Sequence, residues 1–165
     1  MTPPENSFSP DDRELAQAVA ECSRDDSFLN AIRDAYRDID CASDPNSAIC
    51  LGGGACCRFD LFDHRLYATL GELAILSRTE PSDASRMDLN RCPHQQGPRC
   101  LARENRPLGC RVFFCRESPR AEENRAYETA HSRIRRLHAE YDLPYAYVEL
   151  ISALKILRQF AVDTL

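Results

Sequence analysis

Cys50-Leu51-Gly52-Gly53-Gly54-Ala55-Cys56-Cys57 divides this chain into two kinds of sequence. Its three consecutive glycines let the backbone fold tightly between thiols, and no helical spacing runs through it. Downstream, residues 84–119 carry little periodicity and hold Pro93, Gly97, Pro98, Pro107, Gly109 and Pro119 among Cys92, Cys100, Cys110 and Cys115. Residues 41–119 therefore read as an irregular cysteine-rich lobe whose hold comes partly from bound metal rather than from apolar packing alone.

Helical patterns flank the lobe. Residues 1–9 read as a disordered leader, and Ser9-Pro10-Asp11-Asp12 as a helix start with a serine cap and proline in the first turn. Leu15, Ala18, Val19 and Cys22 recur at helical spacing, as do Phe28, Ile32, Ala35, Tyr36 and Ile39, with a break at Ser23–Ser27. Cys22 falls on the apolar stripe and reads as a buried free thiol. Beyond the lobe, Tyr127, Ala130, Ile134, Leu137 and Tyr141 form one stripe from Pro119 onward. A last helix is expected from Pro144, burying Tyr147, Leu150, Ile151, Leu154, Leu157 and Ala161.

Inside the lobe, Asp44–Ser47 reads as a turn, and Arg58–Leu61 with Arg65–Ala68 as two short strands of a hairpin around Phe62-Asp63-His64. Thr69-Leu70-Gly71-Glu72 matches a capping box opening a short helix that Pro81 through Asp83 closes. The expected fold is mainly α: N- and C-terminal helices bracketing an irregular, metal-stabilised lobe with a small β-hairpin, all in a single domain over 10–165.

The thiols carry the chemistry. The N-terminus lacks the basic and apolar regions of an export signal, and nine cysteines cannot all pair within one chain. Arginines and acids interrupt every hydrophobic segment, so no membrane span is expected. A cytoplasmic protein is the expectation, and in a reducing compartment clustered thiols point to metal rather than disulfides. Cys50, Cys56, Cys57, Cys92, Cys100, Cys110 and Cys115 are the candidate ligands.

No Cys-x2-Cys knuckle of a zinc ribbon occurs, and seven thiolates exceed the four that one tetrahedral zinc takes. The alternatives are two metals with shared ligands, or a four-cysteine iron–sulfur cluster with spare thiols. The side chains of Cys56 and Cys57 diverge in most backbone conformations, so they suit different metal atoms, or one ligand and one spare. Arg99, Arg103, Arg106, Arg111 and Arg116 lie among these cysteines and favour the thiolate form.

Cys50-x2-Gly53-x2-Cys56-Cys57, Cys92-Pro93-His94, Cys100 and Arg106-Pro107-Leu108-Gly109-Cys110-Arg111-Val112-Phe113-Phe114-Cys115 together resemble the YkgJ-type cysteine-cluster family, described as zinc- or iron-chelating proteins. The resemblance covers about residues 50–116. It implies metal binding by the seven cysteines and little about a reaction. Gly53 stands where the family's hallmark has a cysteine, and Phe114 where it has a proline. A second metal would draw on His94, His64, Cys41, solvent or a bridging thiolate.

Three functions follow from these residues. The favoured one is a metal-binding protein holding an iron–sulfur cluster, or zinc, in a redox, electron-transfer or structural role. The second is a metal-dependent enzyme, because the cysteine motif also resembles part of the flagellin lysine methylases; no glycine-rich dinucleotide loop or clear acid–base pair accompanies it. The third is a zinc-stapled interaction module meeting an unknown protein partner. A net charge of −5 and few aromatics among the arginines argue against nucleic acid as that partner. The oligomeric state is left open by the sequence.

Overall fold

The computed structural model describes residues 11–42, 54–62, 64–111 and 120–162. The expected leader, Ser9, Pro10, the Asp44–Ser47 turn, Cys50, Gly53, Cys115 and Arg116 lie outside them, as does the side chain of Cys41. The chain is mainly helical, with two small antiparallel strand pairs among the described residues.

Helix α1 (Asp12–Cys22) is capped by Asp11, where the sequence suggests Ser9. The Asp11 carboxylate accepts from the Glu14 N–H at 2.8 Å while Glu14 accepts from the Asp11 N–H at 3.2 Å, a reciprocal cap that satisfies two orphan donors. After a turn at Ser23 and Arg24, Asp25 accepts from the Phe28 N–H at 2.9 Å and opens α2 (Asp26–Ala42). The break expected at Ser23–Ser27 is present but narrower, covering Ser23 to Asp25, with Asp26 and Ser27 already in α2.

The apolar stripes of both helices face inward. Phe28, Leu29 and Ile32 are fully buried, and each such side chain contributes about 1.5–3 kcal/mol. They pack against α4 (Leu70–Leu76), all of whose residues are buried, while α6 (Arg120–Glu140) lies along α2 through Ala130, Ile134 and Leu137. Helix α7 (Leu150–Val162) closes over α1.

Two matched strand–helix units tie the two halves of the sequence together. Strand β1 (Tyr67–Thr69) leads directly into α4, and β4 (Tyr147–Glu149) into α7; the strands pair antiparallel, Tyr67 against Glu149 and Thr69 against Tyr147. Thr69 caps α4 in the expected box, its hydroxyl accepting from Glu72 N–H and Glu72 accepting from Thr69 N–H. Glu149 caps α7, accepting from Ile151 N–H at 3.0 Å and Ser152 N–H at 2.8 Å.

Two local expectations are corrected. The hairpin around Phe62-Asp63-His64 does not form: Phe59–Phe62 is a helical turn, α3, and Tyr67–Thr69 pairs with a segment distant in sequence instead. A hairpin does occur at β2 (Gln95–Gln96) and β3 (Arg99–Cys100), turning at Gly97. The last helix begins at Leu150, not Pro144, because Tyr147 is held in the strand pair, while α4 runs to Leu76 as its apolar residues Leu73, Ile75 and Leu76 lead one to expect. Among the described residues no helix is long and apolar enough to cross a membrane.

Candidate metal centre

Three chain segments converge beneath α4. The first is the tight turn Ala55–Cys57, entered through Gly54 at φ 66°. The positive φ is what requires glycine here; a Cβ at Gly54 would also stand 2.3 Å from the Gln95 side-chain nitrogen and displace that amide from the Gly54 carbonyl. The second segment is Cys92 through the β2–β3 hairpin to Cys100. The third is Arg106–Arg111, containing the short helix α5 (Leu108–Arg111).

Backbone hydrogen bonds fasten these segments together. Cys92 N–H donates to the Cys57 carbonyl at 3.0 Å, Leu101 N–H to the His94 carbonyl at 2.9 Å, and the Gln95 side chain to the Gly54 carbonyl at 3.4 Å. Ser82 N–H and its hydroxyl both donate to the Pro93 carbonyl at 2.9 Å. The third segment is anchored by Glu72, which accepts from Leu108 N–H at 2.7 Å.

Between them lies a cavity of about 290 Å³, lined by Cys56, Cys57, Cys92, Cys100 and Cys110 together with His94 and Arg106. Five of the seven candidate thiols thus share one cavity, although they come from positions up to 54 residues apart (110 − 56). The sulfurs of Cys56 and Cys57 are 3.9 Å apart. Among the described residues no three His, Cys, Asp or Glu side chains already form a group able to hold a metal ion. In kind, the donors fit a thiophilic metal or iron–sulfur cluster: soft sulfur in a mostly apolar wall.

The thiols burden one another electrostatically. Cys57 is drawn down by its hydrogen bond with Cys56, but contact with Cys92, burial and the other thiols push it up to about 12. Burial raises Cys100, and holds Cys110 well above an ordinary thiol, with neighbouring thiolates adding to both. Arg106 opposes this at both residues and Arg103 at Cys100.

The arginines expected around the cysteines divide. Arg99, Arg103 and Arg106 line the cavity. Arg111 does not: its guanidinium pairs with Asp40 at 2.5 Å, donates to the Glu104 and Arg106 carbonyls, and lies 4.1 Å over the Tyr36 ring. It clamps α5 to α2, a packing role that its residue type could not reveal. His64 packs on the Phe59 ring at 4.8 Å, outside the cavity lining. Cys22 is fully buried in the helical core, its thiol raised to about 12 chiefly by burial.

Glu72 and Gln95 are the residues that sequence reasoning missed as builders of this site, whereas the tight turn expected of the glycines before Cys56 is present at Gly54. Only the capping box marked Glu72, and it gave no sign of the contact with Leu108. Comparison of the chain with protein-family models, with curated proteins and with solved structures returns no match.

Proposed function

We propose that the cavity is a thiolate metal centre and that the chain is a metal-binding protein, its cysteines holding an iron–sulfur cluster or, alternatively, zinc. The observation that carries the reading is the convergence of Cys56, Cys57, Cys92, Cys100 and Cys110 from three segments on one cavity. Structural free thiols disperse through a core as small hydrophobes; five on one wall serve no packing purpose that alanine or valine would not. A cation would also relieve the mutual repulsion that holds these thiols protonated, because metal coordination deprotonates thiols. Arg106 and Arg103 would offset the excess negative charge of the thiolates.

Bound there, an iron–sulfur cluster would supply one-electron redox chemistry, and zinc a structural staple. The same proposal groups the chain with the YkgJ-type family, through the order and spacing of residues 50–116. A zinc-stapled module is the second reading, favoured by Arg99, Leu101 and Arg103, which are all exposed along one short stretch beside the cavity.

The test is metal analysis with absorption and electron paramagnetic resonance on anaerobically isolated protein. A brown protein whose colour bleaches in air supports the cluster. A colourless protein with stoichiometric zinc sinks the cluster and retains the metal centre; anaerobically prepared protein that takes up neither metal overturns both.

A further inference from the structure

We propose that His94 is a metal ligand in the cysteine cavity, so that the centre is a mixed imidazole–thiolate site. The inference rests on the metal-centre reading above. His94 is only 3 % exposed and lines the same cavity as the five thiols. Its Nδ1 is buried and has no hydrogen-bond partner.

An unpartnered ring nitrogen alone does not make a ligand. His138 also has one, at Nε2, but that ring sits among Phe28 and Tyr145 in the helical core, where the nearby thiol is the isolated Cys22, directed at the same Pro144 carbonyl that holds His138 Nδ1, and not a cluster of thiols around a cavity. His94 is distinguished by its company and by how it is held. Glu80 lies near its ring, and the buried Nδ1 is left without a partner, as a nitrogen reserved for coordination would be. Its own carbonyl accepts from Leu101 N–H, and the preceding Pro93 carbonyl accepts from Ser82 and Asp83, so the backbone beneath the ring is pinned on both sides.

The chemistry suits the setting. Imidazole coordinates as a neutral donor, so it adds a bond to the metal without another negative charge in a cavity where thiolates already repel one another. In an iron–sulfur cluster, histidine in place of cysteine raises the reduction potential; in a zinc site it completes a Cys3His set.

X-ray absorption at the metal edge of the anaerobically purified full chain tests this with either metal, and needs no variant. The expected spectrum contains sulfur neighbours plus the outer-shell pattern of one imidazole. That pattern should vanish in His94→Cys while metal content is kept, and persist in His64→Ala. For iron–sulfur, His94→Cys should also shift the midpoint potential downward. A metal-loaded wild-type protein with sulfur neighbours only, or an imidazole pattern that survives His94→Cys, overturns the role of His94 and leaves the metal centre standing. Protein that binds neither iron nor zinc overturns both.

Discussion

The Glu72 carboxylate accepts a hydrogen bond from the Leu108 backbone N–H at 2.7 Å, joining a buried acid on α4 to the helix that carries Cys110. The same carboxylate accepts from the Tyr36 hydroxyl at 3.3 Å and from Thr69 N–H at 2.8 Å. One side chain, 1 % exposed, thus ties α2, β1, α4 and α5. A carboxylate withdrawn from water is tolerable only with such a set of donors, and here the donors include the third segment of the thiol cavity.

Replacing Glu72 with alanine should lower stability by about 3–5 kcal/mol, because two or three buried donors lose their acceptor at roughly 1–3 kcal/mol each. Glu72→Gln should cost less, about 2 kcal/mol, since its amide keeps one acceptor oxygen and turns an N–H toward an existing donor. Urea unfolding of both variants reads this directly. Midpoints equal to wild type would show that the Glu72 contacts carry no net stability.

How far the molecule was legible depended on whether a pattern was local. The capping box at Thr69–Glu72 and the stripes from Leu15 to Ile39 are local, and they form as their spacing demands. Arg65–Ala68 reads as half of a hairpin because its composition is strand-like, but the strand that forms, Tyr67–Thr69, has its partner at Tyr147–Glu149 far along the chain, and nothing in either segment names the other. The same holds for the site. Thiols advertise chemistry by residue type, so their grouping was expected, whereas Arg111 was misread because charge does not say which way a side chain turns. Glu72 was found as a cap and missed as an anchor for the same reason.

Cysteine substitutions should separate the cavity from the core. Cys56→Ser, Cys100→Ser and Cys110→Ser should each reduce metal content and destabilise the segment from Gly54 to Arg111, because metal binding is linked to folding. Cys22→Ser should keep its metal, since Cys22 lies fully buried with its thiol directed at the Pro144 carbonyl, 4.0 Å away. Metal analysis of all four under anaerobic conditions is the check. Equal retention in all four would overturn the assignment of the cavity.

Gly71 lets α4 pack tightly against α2. A Cβ built there would stand 2.5 Å from Ile32 Cδ1 and 2.8 Å from the Phe28 ring, both fully buried and without room to withdraw. Gly71→Ala should therefore destabilise by about 1–3 kcal/mol despite alanine's better helix propensity, the usual cost of overpacking a close-packed core. Thermal unfolding of the variant measures it, and a higher melting temperature than wild type would mean that the two helices separate freely.

Acid should weaken the helical core through His138. The ring is 1 % exposed, its Nδ1–H donates to the Pro144 carbonyl at 2.6 Å, and Phe28 meets it edge-on at 4.8 Å. Burial is the main cause that lowers its pKa from 6.5 to about 4, opposed by the bond to Pro144. The unfolded chain then binds the proton more readily than the folded one. Stability is fully present above pH 6.5, falls as the pH drops from there toward 4, and levels off below. At about 1.4 kcal/mol for each unit of displacement, this one ring accounts for roughly 3 kcal/mol. Burial lowers His64, His94 and His131 as well, so their contributions have the same sign. A His138→Leu variant loses the Pro144 bond and should be less stable than wild type at pH 7. It also lacks the proton penalty, so the gap between the two should narrow by about 3 kcal/mol at pH 4. Denaturant titrations across that range decide the matter, and a gap that stays constant would remove His138 as the source of acid sensitivity.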